Sequence, residues 1–187
     1  MSKALPSEED ALRLLKQVGC SKEVIEHCIV VSELATKIAE ALKEKGFRVD
    51  IQLVKIGGLL HDIGRSKTHS VDHSVIGADI ARKMKLPEEV VNIIERHVGG
   101  GISKEEAKAL GWPEGVYMPK SMEEKIVSYA DKLVNGSRTT TIENEIKMLS
   151  RKLGADHPAI RRVKKLDEEF KRLLGASLIR KLTNREL

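Results

Sequence analysis

Histidine and aspartate in this chain fall where side chains point inward. His27 lies between Val24 and Val31, His61 follows Val54, Gly57 and Gly58 by helical steps, and His97 follows Val90 and Ile93. Asp131 lies between Val127 and Val134 in the same way. A carboxylate on an apolar face is costly unless a positive group compensates it. One imidazole on such a stripe is unremarkable. Several imidazoles together with Asp62 and Asp131, on the inner faces of different helices, suggest a shared cation. The plainer alternative is a buried His–Asp hydrogen-bond network, which seldom needs two carboxylates and several rings from separate helices.

The adjacent pair His61-Asp62 is the sharpest local feature. Neighbours on an ideal helix point about 100° apart, but at a helix end facing a cluster both can reach a metal. Gly57 and Gly58 in the preceding turn would let another helix approach closely, and Gly64 would let the chain turn away.

The elements that must position these groups read almost entirely with helical period. Ser7 caps a helix over 8–18, and Ser21 caps a long one to about Lys45 with Val24, Cys28, Val31, Ala35, Ile38 and Leu42 on one stripe. Asp50 caps the helix that carries His61-Asp62, and residues 65–72 form a polar loop. Helices follow over 73–84 and 87–97, the latter with Pro87 in its first turn. Residues 98–120, rich in glycine and proline, hold a short helical piece at 103–110 and form the segment expected to be most mobile. It would serve as a substrate lid or, as favoured here, as a connector whose Trp112 and Tyr117 pack on the core. A helix from Ser121 or Met122 to about Asn135, one at 142–153 capped by Thr141 and one at 158–174 complete the set. The last dozen residues would fray or add a short helix. No strand is expected. The fold class is all-α: one compact domain, with residues 1–140 carrying the chemistry and helices of 141–187 packed on it.

In the order of these residues the chain resembles the HD superfamily of metal-dependent phosphohydrolases, in its HDIG group. The literal motif is His61-Asp62-Ile63-Gly64. The upstream histidine matches His27 in EHCIVVSELA, and the distal aspartate matches Asp131 in IVSYADKL. HSVIGADIA places His73, and IIERHVGGG places His97, on the positions of the two-metal branches. The resemblance covers roughly residues 20–140. The ligand order is similar to the branch that cleaves diadenosine tetraphosphate and, more loosely, to cyclic-di-GMP phosphodiesterases, although the GYP motif of the latter is absent. The stretch GGGISKEEAKALGW and the C-terminal helices look most like an archaeal HDIG group.

The resemblance implies an enzyme that hydrolyses a phosphoester or phosphoanhydride of a nucleotide-like substrate through a metal-activated water. It implies that His27, His61, Asp62 and Asp131 hold one divalent ion, that Asp62 bridges, and that His73 and His97 hold a second. Such a ligand set suits Fe, Mn, Ni, Co or Zn. Asp62, Arg65 and Lys132 are then the catalytic candidates, and Arg65, Lys132 and Arg138 the groups that neutralise a phosphate. Plainer roles stand beside these. His73 could cap its helix, His97 could end its helix as a cation near the dipole, and Arg65 could form a surface salt bridge. A non-catalytic nucleotide-sensing module is the alternative function.

Composition excludes several classes. The 187 residues are 41% apolar and 33% charged, which is globular rather than disordered. No apolar run is long enough to span a membrane, and the acidic, amphipathic N-terminus is unlike a signal peptide, so a cytoplasmic location is expected. The formal charge of +5 is spread evenly, and aromatics make up only 3%, which argues against a nucleic-acid partner. His69 and His157 read as solvated loop residues, and Arg161–Lys165 as a solvated helix face. Cys20 and Cys28 read as free thiols. A homodimer is compatible with the size and class.

Overall fold

Side-chain caps set the helix starts. Ser7, Ser21, Asp50, Ser121 and Thr141 each accept the backbone N–H three residues on, an interaction worth about 1 kcal/mol at each helix. Ser7, Ser21, Asp50 and Thr141 are the caps expected from the sequence, and Ser121, expected with Met122 as a possible helix start, proves to be a cap as well. A computed structural model of the chain describes residues 4–183. Among them are ten α-helices: α1 (Glu8–Gln17), α2 (Lys22–Glu44), α3 (Ile51–Leu60), α4 (His73–Lys83), α5 (Glu88–Arg96), α6 (Lys104–Ala109), α7 (Met122–Lys132), α8 (Ile142–Leu153), α9 (Pro158–Leu174) and α10 (Ala176–Thr183). The chain is all-α apart from a minimal hairpin, and no described helix is long and apolar enough to cross a membrane.

The 23-residue α2 is the central post. Its predicted stripe, from Val24 to Leu42, is buried throughout. Helix α3 crosses it closely because Gly58 has no side chain: a Cβ there would lie 2.8 Å from Ser32 Cα. At Gly57 a Cβ would lie 2.4 Å from Ile93 Cδ1, so α5 also seats tightly on α3. One buried cluster joins α1, the N-terminal half of α2, α3, α4 and α5. A second joins the rest of α2 and α7 to Val163, Leu166, Phe170 and Leu174 of α9. Tyr129 of α7 stacks flat on Phe170 at 4.5 Å, and its hydroxyl donates to Asp167 at 2.7 Å. The helices beyond residue 140 thus share a core with those before it.

Several elements differ from the sequence reading. Helix α3 stops at Leu60, and a 3-10 turn at Ile63–Ser66 follows. Pro87 precedes α5 as its N-cap instead of opening its first turn. Helix α7 ends at Lys132, and a hairpin pairs Val134–Asn135 (β1) with Arg138–Thr139 (β2). Its two-residue loop has Gly136 at φ +58°, the left-handed backbone that tight hairpins require. Gly64 is needed for a different reason from the one expected. Its φ is not left-handed; instead a Cβ there would lie 1.9 Å from the carbonyl oxygen of His73.

The 98–120 segment is stitched together. Ser103 and Glu106 form a reciprocal cap on α6, and Ile102 bridges to Tyr117. Trp112 and Tyr117 pack edge to face at 4.9 Å within their own small cluster. The two aromatics thus pack in a small cluster apart from the two main cores, where the sequence reading expected them on the core. The terminal helix α10 buries Ile179, and the last four of the dozen C-terminal residues lie outside the described residues.

Candidate metal centre

Five helices deliver the six candidate ligands. His27 comes from α2, His61 and Asp62 from the end of α3, His73 from the first position of α4, His97 from just past α5, and Asp131 from the last turn of α7. The last carbonyls of a helix have no intrahelical partner. His61 and His97 use this: each Nδ1–H donates at 2.7 Å to the carbonyl three residues back, Gly58 and Ile94. His73 does the same with Ser70 at 2.7 Å, and His27 donates to Gly136 of the hairpin at 2.8 Å. With Nδ1–H so committed, a neutral ring presents Nε2 as a bare lone pair. This is the outer-shell arrangement that fixes metal-binding histidines.

All four Nε2 atoms converge on the two carboxylates. Asp131 Oδ1 lies 3.1 Å from His27 and 3.5 Å from His61. Asp62 Oδ1 lies 3.1 Å from His73 and 3.4 Å from His97, while Asp62 Oδ2 lies 3.7 Å from His61 and 3.8 Å from His27. The Nε2 atoms of His73 and His97 face each other at 3.1 Å. The centre is therefore rich in acceptors. His61 Nε2 and Asp62 Oδ1 are buried without a hydrogen-bond partner, a state that a cation would relieve. Two overlapping sets have ligand atoms within 4.8 Å of one another: His27, His61 and Asp131, and His61, Asp62 and His97. His61 belongs to both sets and His73 to neither, and these residues could hold a divalent ion.

The electrostatics agree. Burial pushes the Asp62 carboxyl up, but the charges and hydrogen bonds of His61, His73 and His97 hold it well below the usual carboxylate range. Burial likewise opposes ionisation of Asp131, and Lys132, His27 and His61 outweigh it. Burial takes His97 down to about 4, so its ring is neutral at pH 7. For His27 burial lowers the pKa, but the hydrogen bond and charge of Asp131 overturn this and leave it raised.

A cleft of about 330 Å³ opens over His27, Asp62 and Asp131. Arg65 and Lys132 line it, where the sequence reading wants phosphate-neutralising groups. Arg65 Nε donates to Asp62 Oδ2 and Lys132 Nζ to Asp131 Oδ2, each at 2.5 Å. Arg138 is exposed on β2 and does not line the cleft. His69 is exposed, and His157 is no free loop residue: its Nδ1 caps α9 by accepting from Ala159 N–H. Sequence reasoning missed Glu23, Asn135, Glu145 and Met148, which also line the cleft. The Asn135-Gly136 pair was a hairpin signal. For α8 the signal was Glu145 beside Ile142, Ile146 and Leu149, which face the core.

Residues 24–136 match the HD domain family. An uncharacterized protein of Methanocaldococcus jannaschii is 49% identical over 166 residues, 89% of this chain and 98% of that relative. A tRNA (cytidine(56)-2'-O)-methyltransferase of Picrophilus torridus is 38% identical over 176 residues. Those residues are 94% of this chain but 50% of the methyltransferase, so the chain spans half the length of that relative. Among solved structures, the HD domain of the Listeria monocytogenes phosphodiesterase PgpH aligns with a TM-score of 0.58 at 18% identity, covering 90% of this chain and 96% of that one. The same domain in complex with cyclic-di-AMP aligns with a TM-score of 0.56 at 19% identity, covering 94% and 99%. At such identities the likeness is one of fold.

Proposed function

The chain belongs to the HD domain family, and from that premise we propose that it is a metal-dependent phosphohydrolase acting on a phosphoester or phosphoanhydride of a nucleotide-like substrate. The observation that carries this reading is the acceptor-rich centre: four Nε2 atoms and two carboxylates meet where His61 Nε2 and Asp62 Oδ1 are buried without partners. His27, His61 and Asp131 would hold one ion and His73 and His97 the other, with Asp62 between them. Bound divalent ions would lower the pKa of a water nucleophile and stabilise charge on the phosphoryl oxygens.

The remaining work falls to the side chains of the cleft. Burial lowers the Lys132 pKa, but the charges of Asp131 and Glu145 outweigh it, so the ammonium stays protonated. Lys132 therefore serves as a fixed positive charge for the substrate phosphate and not as a base. Arg65 spends Nε on Asp62 and keeps its Nη donors for the phosphate. The Nδ1 bonds of the four histidines prevent ring rotation, so the ligands hold their aim while substrate exchanges. A cleft of about 330 Å³ is the size of a small-ligand site. Two named relatives favour a nucleotide: PgpH, solved with cyclic-di-AMP, and the methyltransferase, named for tRNA.

The test is hydrolysis of a panel by purified protein with Mn²⁺, Fe²⁺, Co²⁺ or Ni²⁺. The panel holds nucleoside monophosphates, dinucleoside polyphosphates, cyclic dinucleotides, 2′,3′-cyclic phosphates and a short RNA. Turnover of at least one member, lost in both His61→Ala and Asp62→Ala, is expected. Nucleotide binding without product over long incubation, or turnover that survives either substitution, contradicts the reading.

A further inference from the structure

The ligands proposed above for the second ion, His73 and His97, are both braced from the 98–120 segment, and the brace on His73 runs through one indole. The His73 ring takes its orientation from the Ser70 carbonyl, at 2.7 Å. Ser70 belongs to a loop that is neither helix nor strand. Within it, Ser70 N–H donates to Thr68 Oγ1 at 3.1 Å, Ser70 Oγ donates to Asp72 Oδ2 at 2.8 Å, and Asp72 N–H donates to Ser70 Oγ at 3.2 Å. These bonds fold the loop on itself, and its C-terminal end is tied to the first turn of α4, where Ser74 Oγ donates to the Val71 carbonyl at 3.4 Å and Ile76 N–H to the Asp72 carbonyl at 2.9 Å. A hydrogen bond from a distant segment comes from Trp112, whose Nε1–H donates to Asp72 Oδ1 at 2.7 Å across 40 positions of sequence. The indole is itself fixed by Tyr117, packed at 4.9 Å, whose hydroxyl donates to the Pro113 carbonyl at 2.8 Å.

The other end of the same segment is tied beside His97. Arg96, the residue before it, donates Nε–H to the Val116 carbonyl at 3.0 Å and is held by buried Glu124 at 2.9 Å. Glu124 also accepts the Lys120 N–H at 2.7 Å. The segment thus grips a neighbour of each of these two histidines. His27 and His61 take their Nδ1 partners from the hairpin and from α3 instead.

We propose that Trp112 is a positioning residue for the second ion: through Asp72 and Ser70 its indole N–H fixes the aim of His73 Nε2. The inference rests on the two-ion reading above and assigns this task to a segment outside the ligand helices. Loss of a partner bonded directly to a ligand typically weakens metal affinity by about 10- to 100-fold, and here the direct partner, the Ser70 carbonyl, is held in place through Asp72 by the indole.

The experiment is calorimetric titration of the full-length, chelator-stripped protein with Mn²⁺. Wild type should take up two ions, and His73→Ala one. Trp112→Phe keeps an aromatic ring against Tyr117 but has no donor. It should weaken the second ion by about 10- to 100-fold and leave the first at wild-type affinity. Asp72→Ala should do the same, whereas Asp72→Asn keeps an acceptor for the indole and should stay near wild type. Unchanged second-ion affinity in Trp112→Phe and Asp72→Ala overturns the inference alone. Equal weakening of both ions also overturns it, since the indole would then only be holding the fold together. A wild type that takes one ion, or a His73→Ala protein that still takes two, overturns the two-ion reading and this inference with it.

Discussion

Each imidazole in the centre has a backbone carbonyl as the partner of its Nδ1–H, and that fixes what the centre does when no ion is bound. Imidazoles and carboxylates face one another, and acidification acts on them with signs set by their surroundings. His97 has a folded pKa of about 4 against 6.5 for the free side chain. Between those values the unfolded chain binds a proton that the folded one refuses, so stability falls as pH drops from 6.5 to about 4. The 2.5-unit difference amounts to roughly 3 kcal/mol. Asp62 and Asp131, held well below the carboxylate range, add stability above their unfolded pKa and lose it as pH falls through their folded pKa. His27 runs the other way: its raised pKa stabilises the fold fully below the unfolded value and fades above it. Its contribution is therefore already saturated in the window where His97 fails. Urea unfolding of metal-free protein should show a lower midpoint at pH 4.5 than at pH 7; an equal or higher midpoint at pH 4.5 contradicts this assignment. The six converging groups were legible in the sequence because polar residues on apolar stripes are conspicuous. Glu145 was harder to read: it sits among Ile142, Ile146 and Leu149, but only the docking of α8 over the cleft gives it a place there.

Among the elements, the short connection from α3 to α4 carries the tightest geometry. The Ile63–Ser66 turn lies directly on the first turn of α4, with room for no Cβ at Gly64. Both obstacles there, the His73 carbonyl and the Gly77 amide at 2.7 Å, are backbone and cannot swing aside. Gly64→Ala should therefore lower stability by about 1–3 kcal/mol, the usual range for overpacking, and push His73 off its line to Asp62. A urea midpoint and a second-ion affinity both equal to wild type would contradict it. The glycine was visible in the motif, but its reason was not: a turn needing left-handed φ and a surface needing no side chain look identical in sequence. The same limit applies to the hairpin after α7. A two-residue strand has too few side chains to show alternation, so only Asn135-Gly136 betrays it. That hairpin matters because its Gly136 carbonyl orients His27.

Over the whole molecule, the division of the chain at residue 140 describes where the ligands end and not where the core ends. Phe170, Val163 and Leu166 of α9 lie in one cluster with Ile38, Val127 and Leu133, and Glu145 and Met148 of α8 complete the cleft wall. Helical period revealed the all-α class and most helix boundaries, because long amphipathic stripes average over many residues. It was silent on how the C-terminal helices dock, since that depends on contacts between segments far apart in sequence. What unites the parts is an acceptor-rich centre of four imidazoles and two carboxylates, which we propose a divalent cation completes. The direct measurement is elemental analysis of the full-length protein after incubation with excess Mn²⁺ and removal of free metal by gel filtration. Two ions per chain are predicted for wild type, with neither retained in a His61→Ala, Asp62→Ala double variant. A wild-type chain that keeps no ion contradicts the account at its root.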